Sequence, residues 1–357
     1  MDRSEERRGV GAWLRFSAVR CRSVVSGRDR VHRVMAAKTK SKVTPKYKTK
    51  YRVKNWPTYE AALRNRGDIT LWFDEDAIDS WNAPPSGRAG GQRRYSDLAI
   101  LTALTLRSVF HLPLRQTEGF AASLIRVMGL DLETPDHTTL SRRSHTVVVL
   151  ALARMHDEPI HLVIDSTGLK MVGDGEWHAH RHKTSNKRRS WRKLHLGVDG
   201  DGFIVASALT DSGVDDASVG VALIGQVGTT IAHFTADGAY DTRAIYESPA
   251  ANGGAVPNIV VPPKRTAKVD AGADEPWRQR NRAIRRIAEV GRRQWRKESG
   301  AHQQARAENA MFRYKRIIGD RLRSRSPEQQ QTEAMIAVNI LNRMTTLGMP
   351  ESVAVRA

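Results

Sequence analysis

Apolar residues in the first half of the chain recur at helical spacing. Leu98, Leu101 and Leu104 lie three residues apart, and the segment after Leu112-Pro113 repeats the pattern. This spacing places apolar side chains on one face of an α-helix. The sequence therefore predicts helices over residues 96–109 and 114–128.

Shorter elements flank these two helices. Pro57 predicts a helix start, and alternating residues in 69–73 predict a short strand. A third helix is predicted to begin near Asp136 or Thr138, either of which can cap it. The set is typical of a helix-turn-helix module and equally of a plain helical bundle packed on the next domain.

Beyond residue 159 the apolar runs shorten and are bounded by turn residues. Asp199-Gly200-Asp201-Gly202 separates two of them, which is a strong β-hairpin signal. Long helical patterns follow the last run, so the sequence predicts a mixed α/β sheet followed by helices. The predicted strands cover residues 162–164, 194–198, 203–209, 231–234 and 258–261.

Three carboxylates are candidates for chemistry. Asp165 and Asp237 each follow an apolar strand, where ligand sites form in open α/β sheets. Either one alone is more typical of a turn or cap residue. Glu308 borders the apolar stripe of a predicted helix, with Lys315 two turns farther on. A carboxylate at the sheet and a cation two turns away suit a metal beside a phosphate backbone, although Glu308 can also be a surface residue with an Arg partner.

Charge narrows the class of partner. The 357 residues hold 58 Lys and Arg against 38 Asp and Glu, for a formal charge of +20. This excess favours a polyanion, nucleic acid before membrane, although a basic surface can also only solubilise. The one cysteine, Cys21, excludes a disulfide framework and a multi-cysteine zinc site. No apolar run is long enough to span a membrane.

The N-terminal 54 residues have the composition of an extended basic arm. Residues 38–54 hold eight basic residues and no acid, including Lys46, Lys48 and Lys50. Such a block repels itself until it meets phosphates. Residues 1–34 hold nine arginines and no lysine, whereas lysines predominate among the cations just after Met35. We therefore expect the native chain to start at Met35.

Two further segments are rich in cations. His178, His180 and His182 could bind zinc on one strand face, but the lysines and arginines up to Lys193 favour contact with DNA, with Trp177 able to stack on bases or pack in the core. Residues 278–296 hold eight arginines, which is typical of a helix that lines DNA or of a solvated face.

Four motifs in order resemble those of DDE transposases of bacterial insertion sequences, specifically the insertion-sequence-5 family. They are Ile164-Asp165-Ser166-Thr167-Gly168-Leu169-Lys170, Trp191-Arg192-Lys193-Leu194-His195-Leu196-Gly197-Val198-Asp199, Ala236-Asp237-Gly238-Ala239-Tyr240-Asp241 and Ala307-Glu308-Asn309-Ala310-Met311-Phe312-Arg313-Tyr314-Lys315. The likeness runs from about residue 46 to 347. Ala301 and Gln304 stand where the family pattern has Tyr and Arg.

The resemblance implies an RNase H-like catalytic domain in which Asp165, Asp237 and Glu308 hold two Mg²⁺ or Mn²⁺ ions. Water would free a 3′-hydroxyl at the element end, and that hydroxyl would attack target DNA. Double-stranded DNA is the expected partner, bound by a homodimer or larger assembly. The predicted DNA contacts are Lys315, Lys193, Arg192, Arg142, Arg143, Lys46, Lys48 and Lys50.

The expected organisation is an arm over 1–54, a helical DNA-binding domain over 55–150, a catalytic domain over 159–347 and a tail over 348–357. A cytoplasmic, nucleoid-associated location is expected. Two alternatives stay open. One is a nuclease of the same fold that cuts without joining. The other is a transposase-derived DNA-binding protein with a dead site, which Ala301 and Gln304 motivate.

Overall fold

A computed structural model gives the structure of the protein. It describes residues 50–355, except for 86, 88–89, 153, 155, 157, 172–190 and 250–255. The basic arm before residue 50 and the histidine segment 177–183 therefore lie outside the described residues, as do Lys46, Lys48 and the expected start at Met35. Lys50 is described only as the first residue of a strand.

Five short to medium helices occupy residues 56–143. Ser96 caps the third by accepting a hydrogen bond from the Ala99 N–H, and Asp136 caps the fifth through Thr138 and Thr139. The strand predicted over 69–73 is wrong, because Asp68 caps a single 3₁₀ turn, Ile69–Leu71. The helices are α1 (Trp56–Asn65), α2 (Glu75–Asp79), α3 (Asp97–Val109), α4 (Leu114–Val127) and α5 (His137–Arg143).

A mixed sheet forms the second half, as predicted. β2 lies at its centre, with the antiparallel hairpin β3–β4 on one side and the parallel strands β5 and β6 on the other. A short strand, β7, pairs in parallel with the far end of β2. The strands are β2 (Ile160–Met171), β3 (Trp191–Val198), β4 (Ile204–Asp211), β5 (Ile231–Thr235), β6 (Asn258–Val260) and β7 (Arg321–Leu322). A separate two-stranded sheet joins β1 (Lys50–Val53) and β8 (Ser352–Val355).

Helices cover both faces of the main sheet, and each face buries its own apolar cluster. One cluster contains Leu162 and Ile164 of β2, and the other contains Val163 and Leu169. The helices are α6 (Asp216–Gln226), α7 (Arg243–Glu247), α8 (Arg278–Glu298), α9 (Ala305–Ile317) and α10 (Pro327–Thr346).

The last long helix, α10, links the sheet to the helical region. Ala337 and Leu341 belong to the cluster on the sheet, whereas Ile336 and Ile340 belong to a third cluster with α3, α4 and α5. Residues 51–355 accordingly form one compact unit. The helical region therefore completes its core with a helix from the end of the chain. The predicted domain boundary near residue 150 stays a prediction.

Among the described residues, no single helix combines the length and composition needed to cross a membrane. Only α3 and α4 meet that test when taken together across a bend of 111°.

Candidate active site

Strand register brings the first two candidate carboxylates side by side. Val163 of β2 pairs with Thr235 of β5 in a parallel register, and Asp165 and Asp237 each lie two residues farther on. Side chains two residues apart on a strand project to the same face. Asp165 therefore lies beside Asp237, on the face that α9 and α10 cover.

Asp165 is not at the end of its strand, so the sequence prediction was wrong on this point. β2 continues to Met171, because β3 pairs with it through the Lys170–Trp191 register. The first half of β2 is buried between helices, and alternation becomes visible only beyond Asp165. An apolar run marks the buried part of a strand and misses the rest.

The Asp165 carboxylate is partly buried and lies near other carboxylates, and its hydrogen bonds compensate these effects only in part. Burial, together with the nearby carboxylates of Asp237 and Glu308, raises its pKa to about 6. Hydrogen bonds from the Ser166 N–H, at 2.8 Å, and the Gln304 amide work in the opposite direction. In the described part of the chain, no cation is among the main groups that shift this pKa.

Asp237 caps a 3₁₀ turn, Gly238–Tyr240, at the end of β5. Its Oδ1 accepts the Ala239 N–H at 2.9 Å, and the side chain is otherwise exposed. A Cβ on Gly238 would lie 3.2 Å from the carbonyl oxygen of Pro262, so the turn passes close to the loop after β6. This turn holds Asp237 at the edge of the sheet beside Asp165.

Glu308 reaches the same edge because Gln304 ties the start of α9 to β2. The Gln304 Nε2 donates to the Ile164 carbonyl oxygen at 3.1 Å, next to Asp165. Residues four apart on a helix lie on one face, so Glu308 projects one turn beyond Gln304. The neighbouring residues Ala307, Ala310 and Met311 are buried against the sheet, whereas Glu308 is exposed.

The three carboxylates are neighbours without enclosing an ion. In the part of the chain that the structure describes, no group of three or more His, Cys, Asp or Glu side chains is arranged to hold a metal ion. The donor chemistry nevertheless fits a hard divalent cation, because the charges that interact with Asp165 here are those of the carboxylates of Asp237 and Glu308, and such cations prefer carboxylate oxygens. The Gln304 Oε1 is buried and has no hydrogen-bond partner among the residues that the structure describes.

Tyr240 is a polar neighbour that the sequence did not single out. Its ring is buried under α6. Within the described residues, its hydroxyl has no hydrogen bond of ordinary geometry. Burial raises the pKa of this hydroxyl, and the negative charges of Asp216, Asp165 and Asp237 act in the same direction. It therefore remains a protonated donor behind the carboxylates. The motif Asp-Gly-Ala-Tyr-Asp contains it, but only tertiary packing gives the hydroxyl its direction.

Three of the residues predicted to contact DNA are held within the fold. The Lys193 Nζ contacts both carboxylate oxygens of Asp216 at 3.3 Å, and Arg192 lies 3.4 Å from Asp211. Arg143, whose side chain is 13% exposed, donates to the Tyr95 carbonyl oxygen and to Asp97. These contacts occupy side chains that were predicted to be free.

The other two described candidates are accessible. Arg142 is exposed and reaches only the Thr139 hydroxyl, at 3.3 Å. Lys315 is exposed on α9, seven residues beyond Glu308. Both positions stay predicted DNA contacts.

Exposed cations lie along helix α8. Gly291, with φ of 78°, breaks it into two segments. Arg286 is occupied by Glu289 and Glu298. Within the described residues, in contrast, five exposed cations of this helix form no ion pair. They are Arg278, Arg285, Arg293, Arg296 and Lys297.

Comparison with known families agrees with this geometry. A family model described as a transposase DDE domain matches residues 156–343, which is more than half of the chain. A second model of the same description matches residues 64–174. The chain belongs to the DDE transposases. The matched segment contains Asp165, Asp237 and Glu308.

Membership in the DDE transposases gives the sheet its context. It implies an RNase H-like fold for the α/β region and a DNA-cleaving, strand-transferring enzyme with DNA as substrate. DDE transposases generally use divalent metal ions.

Proposed function

We propose that this DDE transposase belongs to the insertion-sequence-5 family, binds the terminal inverted repeats of its own element, cuts there and joins the freed ends to target DNA. The observation that carries the proposal is that Asp165, Asp237 and Glu308 lie together at one sheet edge, with no neutralising cation beside Asp165 among the described residues. A structural carboxylate cluster would be offset by Arg, Lys or several N–H groups. This cluster has a deficit of positive charge that divalent metal ions can fill, and the bound ions would then attract the phosphates of a DNA end.

The three carboxylates would hold two Mg²⁺ or Mn²⁺ ions. Asp165 and Asp237 each accept a hydrogen bond from a backbone N–H at the Oδ1 atom. This bond orients the side chain, and the Oδ2 atom would bind a cation. The exposed Glu308 would complete the site from α9. Bound divalent ions supply activation of an attacking oxygen and stabilisation of a leaving oxygen in phosphodiester cleavage. The residues orient the DNA so that water, and then a 3′-hydroxyl, meets the scissile phosphate in line.

The DNA backbone would run along α8 towards the carboxylates. Arg293, Arg296 and Lys297 lie on the last turns of α8, which leads through residues 299–304 into α9. A bent helix with unpaired cations suits a curved row of phosphates. Lys315 would contact a phosphate on the far side of Glu308.

Sequence recognition would use the helices before the sheet. α3 and α4 meet at a bend of 111° and are joined by residues 110–113, an angle and loop length that support a helix-turn-helix role. Arg115 and Gln116 are exposed at the start of α4. Together with Arg142 of α5 they line one groove. This assigns base recognition to α4, with α5 beside it on the backbone.

Two element ends must meet, so a homodimer or larger assembly on DNA is part of the proposal. A nucleoid-associated cytoplasmic location accompanies it. The domain limits at 55–150 and 159–347 remain the proposed division of labour between recognition and chemistry.

A strand-transfer assay tests the proposed function. Full-length protein is incubated with pre-cleaved DNA from either end of the element, a supercoiled target plasmid and Mg²⁺, with Asp237→Asn as the inactive control. Joined product from the wild type alone supports the proposal. Nicking without joining would instead indicate a nuclease, and retention of end DNA without any cutting would indicate a DNA-binding protein with a dead site.

A further inference from the structure

Phe312 is an aromatic residue that the fold leaves uncovered. It lies on α9, is 68% exposed and belongs to none of the three apolar clusters. The other exposed phenylalanine, Phe110, packs against Phe120 with 5.0 Å between the ring centroids. Among the ring contacts of the described residues, none includes Phe312. Packing within the described part of the chain therefore does not account for this ring.

The position of Phe312 on α9 lies between the two functional candidates of that helix. Glu308 precedes it by four residues and Lys315 follows it by three, so the three side chains share one face of the helix. From the helical rise, Phe312 lies about 6 Å beyond Glu308 and about 4.5 Å before Lys315 along the axis. The opposite face of α9 packs on the sheet. A DNA strand held at both Glu308 and Lys315 would therefore cover Phe312.

The surroundings of the Phe312 ring suit nucleic acid. Lys315 and Arg316 are exposed next to it, and neither forms an ion pair within the described residues. A single apolar side chain on a protein surface is common and needs no partner. A ring beside unpaired cations is, in contrast, the combination that binds exposed bases, because the cations attract phosphates while the ring stacks on a base.

The proposed reaction creates a base with an uncovered face at this position. Inside a duplex, neighbouring base pairs cover both faces of each base, whereas the last base of a cut strand has a neighbour on one face only. Cleavage would free a 3′-hydroxyl at the carboxylates, so the last nucleotide of that strand would lie beside Glu308. Its base would then be within reach of a ring one helical turn away.

We propose that Phe312 stacks on the 3′-terminal base of the cleaved element end. The ring holds this nucleotide so that its 3′-hydroxyl stays at the carboxylates for the joining step. Stacking accepts any of the four bases, because each has an aromatic face. This inference rests on the proposed function, and it adds a contact that distinguishes a cut end from uncut DNA.

A cycle of changes in protein and DNA tests the proposal, measured by gel-shift titrations with Ca²⁺ in place of Mg²⁺. Full-length protein is titrated with pre-cleaved end DNA whose 3′-terminal nucleotide is either normal or abasic. Removing this base should weaken binding by the wild type about 5- to 20-fold. Phe312→Leu should weaken binding of the normal end by a similar factor and then be insensitive to loss of the base, because both changes remove the same contact.

Phe312→Tyr is the matched control, because it keeps a ring at the same position of the helix. It should bind both DNAs like the wild type. On uncut DNA of the same sequence, Phe312→Leu should stay within about twofold of the wild type, since the phosphate contacts remain. The side chain is exposed, so both variants should unfold at the temperature of the wild type, and a loss of affinity is then not a loss of fold.

Three results overturn the proposal. The first is wild-type affinity of Phe312→Leu for the cut end, which together with a changed oligomeric state would assign the ring to a second copy of the chain. The second is a Phe312→Leu protein that loses as much further affinity as the wild type when the base is removed. The third is an equal loss on uncut DNA, which would indicate a wedge between internal base steps.

The strand-transfer assay separates the two levels of the account. If the wild type joins ends while any of these three results is found, only the role of Phe312 fails. If the wild type neither joins ends nor prefers end DNA to unrelated DNA, the proposed function fails, and the role of Phe312 fails with it.

Discussion

Two aspartates, Asp241 shortly after β5 and Asp165 within β2, differ in how far neighbouring groups compensate their negative charge. The Asp241 side chain is fully buried, and it receives two hydrogen bonds from Arg280, at 2.6 and 3.0 Å, and one from the Lys264 N–H at 2.9 Å. Asp165 receives one backbone N–H and an amide and lies beside two further carboxylates. A complete set of partners indicates an aspartate that holds the fold, whereas an incomplete set indicates one that waits for a partner from outside the chain.

The largest expected effect is on catalysis. Asp165→Ala should lower the rate of DNA cleavage at least about 1,000-fold, because it removes the central carboxylate of the proposed metal site. DNA affinity should change less than about twofold, since the cations of α8 remain. Single-turnover cleavage and a gel-shift titration measure the two quantities. Equal loss of both would contradict a metal role for Asp165.

Asp241→Ala should have the reverse profile. Removing the carboxylate leaves the Arg280 guanidinium buried against Trp277, 4.7 Å from its ring, without an anion. Breaking a buried pair in this way costs about 3–5 kcal/mol of unfolding free energy. Thermal and urea unfolding measure it, with Asp211→Ala as the control because that exposed pair with Arg192 should contribute at most about 1 kcal/mol. An Asp241→Ala protein as stable as the wild type would remove the basis of the comparison.

The pH dependence of stability sharpens the contrast. A raised carboxyl pKa means that the folded protein binds the proton more tightly than the unfolded chain, so this contribution to stability is present below pH 4 and is lost as the pH rises to about 6. Without metal, Asp165→Asn should therefore be more stable than the wild type by about 1–2 kcal/mol at pH 8, an amount reduced by solvent screening. At pH 4 the difference should vanish. Unfolding in EDTA at both pH values measures it, and a variant less stable at pH 8 would contradict the account.

The cations of α8 extend the same comparison, with the smallest expected effect. Arg296→Gln should weaken DNA binding about threefold to tenfold and lower the salt-dependence slope by about 0.9, because one phosphate contact is lost. Arg286→Gln should change neither quantity, since Glu289 and Glu298 already occupy that guanidinium. Gel-shift titrations at several salt concentrations provide both numbers. Equal effects of the two changes would show that ion pairing in the free protein does not select the DNA contacts.

The sequence predicts the elements better than their extents. Periodicity found α3, α4 and the hairpin, and the Asp136 cap was among the two residues proposed. It missed that β2 runs on past Asp165, because pairing with β3 decides where that strand ends. It also read residues 69–73 as a strand, because alternation over so short a run cannot be told from a 3₁₀ turn capped by Asp68.

The candidate site shows a similar limit. The resemblance of four motifs to those of DDE transposases was needed to nominate Asp165, Asp237 and Glu308 together, because position after a strand alone is equally typical of a turn or cap residue. Which cations are free was not readable, because Lys193 and Arg143 find partners that are distant in sequence or depend on tertiary packing. The orientation of the Gln304 and Tyr240 side chains likewise follows from packing between elements that sequence patterns treat separately.

The central claim is that Asp165, Asp237 and Glu308 hold divalent cations together. Anomalous diffraction from crystals of the full-length protein, grown with element-end DNA and soaked in Mn²⁺, tests it most directly. The account predicts strong anomalous peaks within about 2.0–2.3 Å of oxygens from all three side chains. Peaks absent from this edge of the sheet, or bound there without Glu308, would contradict it.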